Sequence, residues 1–112
     1  MHDLTRRLIE RLHAQTLAGQ IEWAEGSARN TFSFEADSYH VIVEATASTA
    51  SISVADGDGR ELETLDEEVL SSATSPSGKD YETLVREIHQ NARRAALGTD
   101  DAITKILKAI GG

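Results

Sequence analysis

The chain contains no cysteine, one proline and no long hydrophobic run, and each absence excludes a class of protein. Without cysteine there is no disulfide, no thiolate zinc site and no thiol nucleophile, which is typical of the reducing cytoplasm. Apolar runs are about three residues long, as at 41–43, whereas a membrane-spanning helix needs roughly 20 apolar residues. A single proline excludes collagen-like and proline-rich material. We therefore expect a cytoplasmic protein without a membrane segment.

The remaining composition is that of a small globular domain. The chain has 112 residues, of which 39% are hydrophobic, 27% are charged and 4% are aromatic. This apolar fraction is too high for a disordered chain, and the length provides one thin core of two layers. We expect residues 1–112 to form a single α+β domain.

Acidic residues are concentrated in the middle of the chain. The net charge is -8, and residues 21–79 carry three basic and twelve acidic side chains. Such a segment repels phosphate groups, so direct binding to nucleic acid is disfavoured. Acidic side chains commonly keep a sheet soluble, but they would also attract a basic protein partner. The candidate acidic surface consists of Glu61, Glu63, Glu67 and Glu68.

Hydrophobic periodicity predicts one helix followed by a meander of strands. Leu4, Leu8, Ile9 and Leu12 recur at helical spacing within Asp3–Leu17, where Asp3 is the expected N-cap. Short runs rich in β-forming residues follow at 21–24, 31–36, 39–46, 51–55 and 61–65, and predict four or five strands. Their short, turn-rich connections favour antiparallel pairing of neighbours, with one face of the sheet exposed to water.

Two helices are predicted after the sheet. Residues 66–76 indicate a loop with one helical turn, and Ser77-x-x-Asp80 has the form of a capping box that opens a helix ending at Gly98. Thr99 or Asp100 is then the expected cap of a short last helix, and Gly111-Gly112 its C-terminal cap. We expect both helices to pack on one face of the sheet.

No motif selects a catalytic, cofactor or metal site. The four histidines fall in four separate elements, without metal-ligand spacing. Residues 56–60 begin like a calcium loop but lack its later ligands, so a hairpin turn explains them better. The dinucleotide fingerprint, the phosphate-binding loop and the serine nucleophile motif are all missing. We expect a protein that is not an enzyme and binds no cofactor or metal.

Two apolar features are candidate interface residues. Trp23 is the only tryptophan, and it is either a core anchor between helix and sheet or an interface anchor. The last helix carries an apolar stripe that exceeds what a small core needs to cover. This interface stripe consists of Ile103, Ile106, Leu107 and Ile110.

The order of these elements resembles two groups of proteins. An N-terminal leucine helix, Gly19-x-Ile21-x-Trp23, the strands around Phe32 and Tyr39-x-Val41-x-Val43, and two late helices are similar to small bacterial α+β proteins of this length, a family with no activity to carry over. A weaker similarity is to acidic secretion chaperones, which are small dimers. Here, however, no strand pair returns between the last two helices.

These observations predict a protein-interaction or regulatory module that forms a homodimer and acts on a protein partner rather than on a membrane or nucleic acid. An acidic inhibitor that imitates nucleic acid toward a basic protein is the alternative, and a secretion-chaperone-like protein is another.

Overall fold

The computed structural model describes residues 1–111 and confirms the predicted fold class: an N-terminal helix, a five-stranded antiparallel meander and C-terminal helices. The elements are α1 (Asp3–Leu17), β1 (Ala24–Glu25), β2 (Thr31–Ala36), β3 (Tyr39–Ala45), β4 (Ala50–Ala55), β5 (Glu61–Leu65), α2 (Glu67–Ser71), α3 (Tyr81–Leu97) and α4 (Thr99–Ala109).

The alternating pattern of the strands sets the register of the sheet. Phe32 lies opposite Val43, which lies opposite Ile52, and Ile52 lies opposite Leu65. All four side chains are buried on the face that the helices cover. Because side chains alternate along a strand, neighbours such as His40 point to the other, partly exposed face, as predicted.

Two of the four turns between strands are formed by the residues predicted to form them. Asp37 and Ser38 have φ values of 50° and 68°, the conformation of a tight two-residue hairpin turn. Between β4 and β5, a side-chain oxygen of Asp56 accepts hydrogen bonds from the backbone N–H groups of Asp58 and Arg60. Residues 56–60 are therefore a hairpin turn.

α3 lies at the centre of the packing. It contacts α1, α2, α4 and strands β1 to β4, and Val85, Ile88 and Ala92 are completely buried in the core. The predicted capping box is wrong in its details. Asp80 is itself the N-cap and accepts a hydrogen bond from the Thr83 N–H at 2.8 Å, while the Ser77 hydroxyl pairs with Ser75 instead. At the other end, Gly98 takes the left-handed conformation predicted for it.

α1 buries only part of the predicted apolar face: Ile9 and Leu12 are buried as predicted, but Leu4 and Leu8 are not. Thr5 and Thr16 are buried as well. The two threonines tolerate burial because each has a partner: the Thr5 hydroxyl donates to the Glu63 carboxylate at 3.1 Å, and the Thr16 hydroxyl accepts from the Trp23 indole at 3.1 Å. The expected cap is also wrong, since His2 precedes the helix and Asp3 lies in its first turn.

Candidate functional site

The interface stripe on α4 is exposed along its whole length. Of its four side chains, Ile103 is 43% exposed, Leu107 is 46%, Ile106 is 59% and Ile110 is 75%. No residue of α4 is buried. The stripe therefore lies on the surface of a single copy of the chain and does not contribute to its core.

α4 reaches this position because the chain turns sharply at Gly98, whose φ is 64°. The helix then makes its contacts with α3. The radius of gyration is 15.0 Å, above the roughly 13 Å of a compact domain of this size, and the molecule is 50 Å in its longest dimension. Neither Thr99 nor Asp100 caps α4 as predicted, because the helix begins at Thr99 directly after Gly98. Gly111 has a φ of 84°, and Gly112 lies outside the described residues.

Trp23 does not belong to the interface surface. Its side chain is only 6% exposed, its indole N–H donates to Thr16, and its ring lies 6.0 Å from that of Phe34. The interface assignment of Trp23 is therefore wrong, and the core-anchor alternative is confirmed. The strand expected at 21–24 is instead the two-residue β1, Ala24–Glu25, which pairs with β2.

The four glutamates of the candidate acidic surface lie on β5 and α2. Glu61 accepts a hydrogen bond from Thr64, and Glu63 accepts one from Thr5. Glu67 and Glu68 occupy the first turn of α2, where a negative charge stabilises the helix dipole. All four therefore have local structural interactions of their own.

A second group of polar side chains joins α1 to α3 and was not predicted from the sequence. Glu87 lies 2.7 Å from His13 Nε2 and accepts a hydrogen bond from Lys79 Nζ at 2.9 Å. Nearby, the Tyr81 hydroxyl donates to Glu10, and burial together with this bond raises the pKa of Tyr81 to about 12. These five side chains hydrogen-bond to one another and so link α1 to α3. We call them the tie between α1 and α3.

The tie between α1 and α3 predicts a loss of stability in acid. The hydrogen bonds from Lys79 and then from His13 hold the pKa of Glu87 below its ordinary value of 4.5. A carboxyl whose pKa is lowered by folding stabilises the native state above its unfolded pKa, and this contribution disappears as the pH falls through the native pKa. Glu87→Gln should therefore destabilise the protein near pH 7 and lose less stability than the wild type on acidification. Urea midpoints at about pH 7 and about pH 3 test this, and parallel losses in both proteins would contradict it.

The four histidines do not fall in four separate elements as predicted, because His2 is the N-cap residue of the helix that carries His13. His2 precedes α1, His13 lies on α1, His40 on β3 and His89 on α3. Among residues 1–111, no three histidine, aspartate or glutamate side chains come together as metal ligands. His89 Nε2 lies 2.8 Å from the carbonyl oxygen of Asn30, and the His89 and Phe32 rings pack edge to face with their centroids 5.2 Å apart.

The outer face of α1 is a second exposed apolar surface. Leu4 is 75% exposed and Leu8 is 37% exposed, and both line a shallow groove with Arg7 and Arg11. Within the described part of the chain, neither arginine makes an ion pair. We call the surface formed by Leu4, Arg7, Leu8 and Arg11 the α1 outer face.

Comparisons with protein-family models, curated proteins and solved structures gave no match. The resemblances to small bacterial α+β proteins and to secretion chaperones therefore stay predictions. Within residues 1–111, no helix is both long enough and apolar enough to span a membrane.

Proposed function

We propose that this protein is a non-enzymatic protein-interaction or regulatory module, and that it forms a homodimer through α4. The observation that carries the proposal is the exposure of all four stripe side chains on a helix with no buried residue. The lack of cysteine favours a cytoplasmic location for this activity.

The energetic reason for dimerisation lies in the apolar surface that the stripe exposes to water. A helix normally turns its apolar side toward the core, and a contiguous exposed apolar patch is typical of an interaction site. Fully burying one isoleucine or leucine contributes about 1.5–3 kcal/mol. In α4 about half of that gain is unused within one chain, since the stripe side chains are 43–75% exposed, and a partner that covers the stripe would provide it.

Ile106→Glu tests this function. A carboxylate in the centre of the stripe would have to be desolvated in a dimer, so we expect the variant to be a folded monomer. Light scattering over a range of concentrations measures the mass, and circular dichroism checks the fold. Leu62→Glu is the matched control, because Leu62 is 52% exposed on β5, away from the stripe. A wild type that stays monomeric at high concentration would contradict the proposal.

A further inference from the structure

The apolar pattern of α4 continues that of α3. Three residues of the interface stripe follow, at a distance of 18 residues, the three side chains of α3 that are completely buried. The pairs are Val85 and Ile103, Ile88 and Ile106, and Ala92 and Ile110. An α-helix has 3.6 residues per turn, so this separation makes about five full turns. In one uninterrupted helix the stripe would therefore lie on the same side as the buried face of α3.

We propose that Gly98 is a hinge between a bent form, which the structure shows, and a straight form in which α3 and α4 are one continuous helix. In the straight form the stripe prolongs the buried face of α3. This inference goes beyond the proposed function, because it concerns a single copy of the chain and is tested without a dimer. A partner that prefers one form would shift the population toward it.

The break between the two helices leaves backbone groups unpaired. Gly98 is left-handed, with a φ of 64°, and α4 begins without a side-chain cap. In the described part of the chain, the N–H groups of residues 99–101 donate to no backbone carbonyl. In the straight form they would donate to the carbonyls of residues 95–97, as in the interior of any α-helix. Straightening therefore gains backbone hydrogen bonds.

Little holds the bent form together apart from the conformation of Gly98 itself. α4 has no buried residue, and within residues 1–111 α3 is the only helix or strand that it contacts. An ion pair between Arg94 and Asp100 spans the bend, but both side chains are exposed, and exposed pairs contribute little. In the straight form these two residues, six positions apart, would lie on different sides of the helix. A small change at residue 98 should therefore decide between the two forms.

Gly98→Ala tests the hinge. Alanine is disfavoured in the left-handed conformation and is favoured over glycine inside a helix, so both effects act toward the straight form. A β-carbon at position 98 meets no atom within 4 Å in the bent form, so the change introduces no clash. We expect the ratio of straight to bent chains to rise at least about tenfold.

The distance between two spin labels measures this ratio. The chain has no cysteine, so Gln90→Cys and Lys108→Cys place the labels at two chosen, exposed positions on α3 and α4. In the straight form these positions would be about 27 Å apart on the same side of the helix, and in the bent form they are closer. Pulsed electron paramagnetic resonance in an excess of unlabelled chain reports the distance within one copy.

The wild type should show the shorter distance, and Gly98→Ala should add a population at the longer one. Gly98→Asn is the first control, because asparagine tolerates the left-handed conformation. Gly59→Ala is the second, because it makes the same change at a φ of 85° in the turn before β5. Both controls should keep the wild-type distances.

Three results would overturn the hinge. The first is an unchanged distance distribution in Gly98→Ala. The second is a broad distribution with a loss of helical circular dichroism, which would mean that α4 unfolds instead of joining α3. The third is a wild type that shows the longer distance alone.

Discussion

Ile88→Ala is expected to lower the free energy of unfolding by about 2–5 kcal/mol. Ile88 is completely buried where α3 packs on the sheet, so its truncation leaves a cavity lined by core side chains. A domain of this kind is stable by about 5–15 kcal/mol, so the variant would lose a large part of its stability. Urea unfolding followed by the fluorescence of buried Trp23, the only tryptophan, measures the change.

Ile103→Ala is the matched control, since it makes the same change on α4. Ile103 is 43% exposed, and we expect the free energy of unfolding of the monomer to change by about 0.5 kcal/mol or less. Both variants should be compared at a concentration where the wild type is monomeric, because dimerisation adds apparent stability. A loss below about 1 kcal/mol in Ile88→Ala, or equal losses in the two variants, would contradict the packing described above.

The sheet was largely predictable because its pattern is local. β2 and β5 begin and end where the alternation of apolar and polar residues places them, and the register from Phe32 to Leu65 follows from that alternation and from short turns. The turn at Asp37 and Ser38 was predictable for the same reason, since the conformation of a tight turn depends on residues adjacent in the sequence.

The orientation of α1 was not predictable, because it depends on partners far along the chain. Helical spacing assigns Leu4 and Leu8 to the core, yet the structure buries Thr5 and Thr16 instead. These threonines hydrogen-bond to Glu63 and Trp23, and such pairings are not visible in one sequence. The same holds for the tie between α1 and α3, where His13 and Glu87 are 74 residues apart.

Of the two candidate interface features, the sequence identified the stripe on α4 but left the role of Trp23 ambiguous. The stripe on α4 was identified from periodicity alone, because an apolar face looks the same whether a core or a partner covers it. Its exposure became evident only from the position of α4 beyond Gly98. Trp23 was ambiguous for a related reason, since a large aromatic residue serves equally well in cores and interfaces, and only its burial and its contact with Thr16 decide between them.

Removal of residues 99–112 is expected to abolish dimerisation while leaving the monomer as stable as before. α4 has no buried residue and contacts only α3 within residues 1–111, so its loss leaves the core intact. The free energy of unfolding of the dilute protein should change by about 0.5 kcal/mol or less, whereas sedimentation should show no dimer at any accessible concentration. The full-length variant with all four stripe residues changed to serine is the control, and it should behave in the same way. A truncated chain that still dimerises would place the interface elsewhere, and one that loses several kcal/mol would show that α4 stabilises its own domain.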